Sequence, residues 1–166
     1  MPFTMKAGTA AIFKAGLIAG TLDILSAFIQ FYIKTGKNPL KVLNYITKIV
    51  CENTAVAGYM SDNEIAMQAF GLVFHFCIAF AWTLFFFIIL PRIKLLRYNK
   101  ILSGLVYGIF VWIMMNLVCI PLYRGISYQF TNTEQTIVAI LILMLAVGIP
   151  ISIVLNNDYA KRKAIA

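Results

Sequence analysis

The chain has 166 residues, 61% of them hydrophobic and 12% charged, with a mean hydropathy of +0.87. Soluble domains carry about 25% charged residues, and a soluble fold of this length leaves roughly a third of its chain surface in contact with water, so lipid must solvate part of this one. Fourteen Lys and Arg against six Asp and Glu give a net charge of +8, but these cations stand between apolar runs, which points to lipid headgroups and excludes nucleic acid as the predicted partner.

The first apolar run, 13–33, is about 20 residues long and spans a hydrocarbon core. Asp23 interrupts it and no small-x-small cleavage site follows, so it reads as a span and not as a signal peptide. A second helix is predicted over 39–51, opened by Asn38 and Pro39. Leu40, Leu43, Ile46 and Val50 recur along it at helical spacing, with Lys41, Asn44 and Lys48 on another face. This amphipathic helix either lies in the outer interface or packs over the mouth of the bundle. Residues 54–63 read as loop, with Gly58, Ser61, Asp62 and Asn63 as turn formers. The second span, 66–90, ends apolar on every face and is closed by Pro91. The third, 101–121, ends at Pro121. The fourth, 135–155, contains Gly148 and Pro150, which predict a kink near Ala146 in an otherwise apolar flanking helix. The chain is thus one all-α integral membrane domain over 1–166, with four transmembrane helices and one outer amphipathic helix.

Orientation follows from the cations near the helix ends. Lys6, Lys14, Arg92, Lys94, Arg97, Lys100, Lys161, Arg162 and Lys163 make nine on the side of the termini. Lys34, Lys37, Lys41, Lys48 and Arg124 make five on the other, which also holds Glu52, Asp62, Glu64 and Glu134. Both termini are therefore expected in the cytoplasm. Cys51, Cys77 and Cys119 have no metal-type spacing. Cys77 reads as a small core residue, and a disulfide between Cys51 and Cys119, both toward the outer side, is the open alternative to free thiols.

Several intramembrane residues stand out. On the first helix Gly16, Gly20, Asp23, Ala27 and Gln30 share one stripe. The third begins with Gly104 and Gly108, and both GxxxG pairs lie toward the inner end of helices running in the same direction, which predicts a close contact between helices one and three. The pentapeptides 16–20 and 104–108 also hint at a duplicated hairpin. Asp23 is near the bilayer centre, where a carboxylate costs roughly 2.5–3.5 kcal/mol and turns toward protein or water. His75, on a stripe with Gln68, Gly71, Ala79 and Trp82, and Asn116 on helix three, fall at similar depth. The three form a candidate polar cluster, able to serve as interhelical glue or as a proton or ligand site. No HExxH, GxSxG or phosphate-cradling loop occurs, so no enzyme activity, metal or cofactor is predicted.

Gly16-Leu-Ile-Ala-Gly-Thr-Leu-Asp23, Asn38-Pro39, His75-Phe-Cys-Ile-Ala-Phe80, Tyr107-Gly108, Met115-Asn116 and Pro121-Leu122 together resemble a family of small, uncharacterised bacterial membrane proteins. The resemblance covers 16–122 and implies a four-helix inner-membrane protein without an assigned reaction. Lys41 and Asn44 stand where it implies arginine and glutamine. Two functions follow as expectations: a non-enzymatic helical bundle with an interaction, sensing or envelope role, able to self-associate through its glycine faces, or a small proton-coupled permease built on Asp23, His75 and Asn116. The lipid bilayer is the one partner common to both.

Overall fold

The computed structural model describes residues 5–51, 63–124 and 133–165; the turn expected around Gly58, Ser61 and Asp62 lies outside them, as do the side chains of Lys6 and Arg124. Every regular element among the described residues is helical. In chain order these are α1 (Met5–Thr35), α2 (Lys41–Cys51), α3 (Glu64–Ile89), α4 (Leu95–Tyr98) and α5 (Lys100–Ile113). A π-helical turn, Met114–Cys119, joins α5 to α6 (Ile120–Arg124), and a second, Leu143–Gly148, joins α7 (Thr133–Ile142) to α8 (Ile149–Ile165). Among the described residues, four helices are long and apolar enough to cross a membrane: Gly8–Thr35, Glu64–Ile89, Lys100–Leu122 and Thr133–Ala164. Only 11–28% of the residues in their most apolar windows are buried by protein. The rest of that apolar surface requires lipid, so the chain is a multi-pass all-α membrane protein.

Short polar residues set the helix ends. Gly36, with φ +64°, stops α1, and its N–H donates 2.8 Å to Tyr32 O. This is the left-handed cap that glycine reaches without a Cβ penalty. Asn63 Oδ1 accepts from Ala66 N and starts α3. Arg92 donates from its guanidinium to Ile88 O (2.6 Å) at the other end of α3, satisfying a last-turn carbonyl that its own backbone N–H, bonded to Ile89 O, does not reach. Asn99 caps α5, its Oδ1 accepting from Ile101 N and Leu102 N at 2.9 and 3.1 Å.

The chain forms two compact units, one of Met1–Asp23 with Ala79–Ala166 and one of Ile24–Ile78. In the first, the third and fourth spans meet backbone to backbone. A Cβ at Gly104 would lie 2.6 Å from Ile149 Cα, one at Gly108 would strike Met144 Cα, and one at Gly148 would strike Gly104 O. Gly16, by contrast, faces the ring of Phe80. The two glycine pairs therefore do not meet each other as the sequence suggested. A bare backbone needs another approachable backbone opposite, and the π turn ending in Gly148 supplies it for Gly104 and Gly108. Gly20 is buried on α1.

Both π turns precede an Ile-Pro step. Ile120 N–H donates to Met115 O and Ile149 N–H to Met144 O, each five residues back. Proline lacks an N–H and its ring crowds the carbonyl four residues earlier; the wider turn accommodates both effects. The third span thus continues through Pro121 instead of ending there, and the break expected near Ala146 is this π turn.

The fourth span is no flank. Ile151, Ser152 and Leu155 are fully buried beside Ala15, Ala19 and Phe86. Phe86 packs edge-on to Tyr107, with ring centroids 4.7 Å apart, and the Tyr107 hydroxyl donates 2.6 Å to Trp82 O. Beyond the apolar stretch α8 stays helical because polar groups hold it. Asn156 Nδ2 donates to Leu96 O (3.2 Å) and to Ser152 O and Oγ, while Ser103 Oγ donates 2.8 Å to the same Leu96 carbonyl. Arg97 donates 2.8 Å to the Tyr159 hydroxyl and lies over that ring. Arg162 Nε sits 2.7 Å from Asp158 Oδ2, off the hydrogen-bond axis, so that contact is ionic, and its guanidinium covers Phe87.

Gly104→Ala and Gly108→Ala should each lower unfolding stability in detergent by about 1–3 kcal/mol, the usual overpacking range. Gly16→Ala should cost less, because a Phe80 ring can turn aside whereas a backbone cannot; equal losses at all three positions would contradict the backbone contact.

Candidate functional site

The second unit carries the amphipathic helix α2 and a groove beside it. The residues of α2 that are buried are Leu43, Thr47 and Cys51, spaced by one turn each. Thr47 Oγ1 donates 2.6 Å to Met67 O of α3. At Gly71 the α3 backbone comes so close that a Cβ would strike Leu43 O. Helix α2 is therefore packed on α3 through this face. The buried stripe is displaced from the one the apolar residues suggested, and Leu40 is 40% exposed. The reason is steric: Thr47 and Cys51 are small enough for close approach, and a hydroxyl with an acceptor is as acceptable there as a methyl group.

The opposite side of α2 borders an open groove of about 690 Å³. Ala27, Gln30, Phe31 and Lys34 of α1 form one wall, Lys41, Asn44, Tyr45 and Lys48 of α2 the other, and Glu64 closes one end. Glu64 Oε1 accepts from Asn44 Nδ2 (3.1 Å) and Gln68 Nε2 (3.4 Å), which fixes the carboxylate at the edge. Among the described residues, the buried Asn44 Oδ1 has no hydrogen-bond partner. The floor is apolar and the rim carries three lysines, all exposed.

Of the polar residues singled out in the sequence, Asp23 is half-buried on α1 in the first unit and His75 half-buried on α3 in the second. Neither lacks a partner. His75 stands edge-on to Phe76, with centroids 5.6 Å apart. Asn116 lies in the first π turn, where its Nδ2 donates 3.0 Å to Trp112 O of its own helix. All three cysteines are free thiols. Cys77 is exposed on α3, not in a core as its apolar setting suggested, and a thiol tolerates such an apolar surface well. Among the described residues no group of three or more His, Cys, Asp and Glu is gathered to hold a metal ion.

Sequence reading missed Thr47, Gly71, Ser152 and Asn156 as the residues that pin helices together. Their signal is small or hydroxyl side chains one turn apart on an apolar helix, seen at Thr47 and Cys51 and again at Gly148 and Ser152, which Asn156 follows one turn later. A second missed signal is the recurrence of Met-x-x-Val-x-Ile-Pro at 115–121 and 144–150, which marks both π turns.

No family model matches the chain, and no curated protein or solved structure matches it.

Thr47→Val should weaken the seating of α2 by about 1 kcal/mol, the net value of one hydrogen bond. Gly71→Ala should do more. Amide exchange within Lys41–Cys51 is the measure: faster exchange there in both variants is the expected result, and unchanged protection would mean that α2 is held by something else.

Proposed function

We propose that this chain is a non-enzymatic membrane bundle with an interaction, sensing or envelope role, and that it works through the groove-bearing face of α2. The observation that supports this reading most is the division of α2 into two faces. One is pinned to α3 through Thr47 and Gly71; the other holds Lys41, Tyr45 and Lys48 along an open groove. A helix anchored on one side and left open on the other is built to present a surface. The nine cations beside the termini, against five at the opposite helix ends, favour cytoplasmic termini, and the family resemblance favours a bacterial inner membrane. Lys34, Lys41 and Lys48 then belong to the outward side. The bilayer is the first partner, and the apolar faces left open on all four spans also suit self-association.

The competing reading is a small proton-coupled permease using Asp23, His75 and Asn116. One observation favours it: π turns before Ile-Pro steps widen spans three and four locally, Asn116 lies in one of them, and π turns are frequent at functional sites. Proteoliposomes under an imposed pH gradient separate the two. The bundle reading predicts no protein-dependent proton flux, with Asp23→Asn and His75→Gln affecting stability alone. A flux that disappears in Asp23→Asn would replace it with the permease reading.

A further inference from the structure

We infer that the groove between α1 and α2 holds the headgroup and upper acyl region of an anionic phospholipid. This rests on the reading above that the open face of α2 is a working surface, and it adds the chemical class of what that surface takes.

Two features lead to the occupant. The first is depth. Lys34 lies next to the end of the first span, which closes at Thr35, and Glu64 opens the second, so the rim sits at headgroup level. Ala27 lies seven residues before Lys34 on the same helix, about 10 Å of axial rise toward the hydrocarbon. One groove thus reaches from the polar boundary into the acyl layer, as an amphiphile does. The second is charge. Lys34, Lys41 and Lys48 surround an apolar floor formed with Ala27, Phe31 and Val42, while Glu64 is tied to Asn44 and Gln68 at one end. The balance is cationic, and phosphate is the anion that lipid presents at this level.

Lysine rather than arginine sets the expected selectivity. An ammonium is a point charge on a flexible stem and imposes no bidentate geometry, so the groove selects anionic over zwitterionic lipid without narrowing to a single species. Near a membrane surface each lysine contributes roughly a five-fold preference, so the three together contribute on the order of a hundred-fold, less at high salt.

The test is native mass spectrometry of the full chain released from nanodiscs containing phosphatidylcholine with or without phosphatidylglycerol. The wild type should retain phosphatidylglycerol. The triple variant Lys34→Gln, Lys41→Gln, Lys48→Gln should lose that preference by on the order of a hundred-fold. Lys94→Gln with Lys161→Gln, exposed cations elsewhere on the chain, should keep it. Millimolar inorganic phosphate should not compete, since it lacks the acyl region; displacement by free phosphate would overturn the lipid assignment. Retention by the triple variant equal to the wild type would overturn it as well. Ala27→Phe fills the groove floor without touching a lysine and separates the two levels of the argument. If both lipids are retained equally and both are lost in Ala27→Phe, the anionic selection falls while the groove remains a working surface. If Ala27→Phe changes nothing, the surface reading falls with it.

Discussion

The first unit depends on one contact: the bare backbone of Gly104 and Gly108 against Met144, Gly148 and Ile149. In a bilayer the hydrophobic effect gives helices no reason to prefer each other to lipid, so association must come from close packing and polar contacts. Glycine opposite glycine brings two backbones within reach of Cα–H to carbonyl contact, and the π turn widens the fourth helix at the point where the third approaches. Once those helices are joined, Ile151 and Leu155 are enclosed and Asn156 is carried to the carbonyl of Leu96. The short α4 is then held from two sides, by Ser103 and Asn156 on its backbone and by Tyr159 on the side chain of Arg97. Proline, usually a helix breaker, is the reason the π turn is there.

The second unit uses the same physics for a different purpose. Gly71 and Thr47 bring α2 onto α3 as closely as Gly104 brings α5 onto the fourth span, but only one side of α2 is committed. Its cations cannot turn inward, because neither protein nor hydrocarbon would compensate them. They remain along the groove, where a phosphate is the natural counter-charge. Packing on one side and charge on the other therefore have a common origin in the strong amphipathicity of an 11-residue helix.

Much of this was legible in the sequence, for stated physical reasons. Four spans, no strand and an amphipathic helix after Asn38 and Pro39 follow from hydropathy and periodicity, which lipid enforces more strictly than water does. Glycine positions marked where close contact occurs, but not with which helix. A GxxxG pair states that a backbone is bare; it carries no information about its partner, and Gly148 with a π turn offers a better match than another GxxxG. The fourth helix extends beyond Leu155 because Asn156, Asp158 and Arg162, which look like a solvated tail in the sequence, are kept helical by buried hydrogen bonds, an ion pair and a ring under Arg162. Asp23, His75 and Asn116 stood out because polar groups are costly in lipid, yet that cost says only that each must be engaged. Asn116 illustrates it by bonding to its own helix.

The central claim is that α2 is anchored on one face and binds anionic lipid on the other. Hydrogen–deuterium exchange of the full chain in nanodiscs tests it most directly, comparing phosphatidylcholine alone with a mixture containing phosphatidylglycerol. The account predicts added protection in Lys41–Cys51 and at the end of α1 near Lys34, with the third and fourth spans unchanged. Protection that is the same in both bilayers, or that rises evenly along the chain, would contradict it.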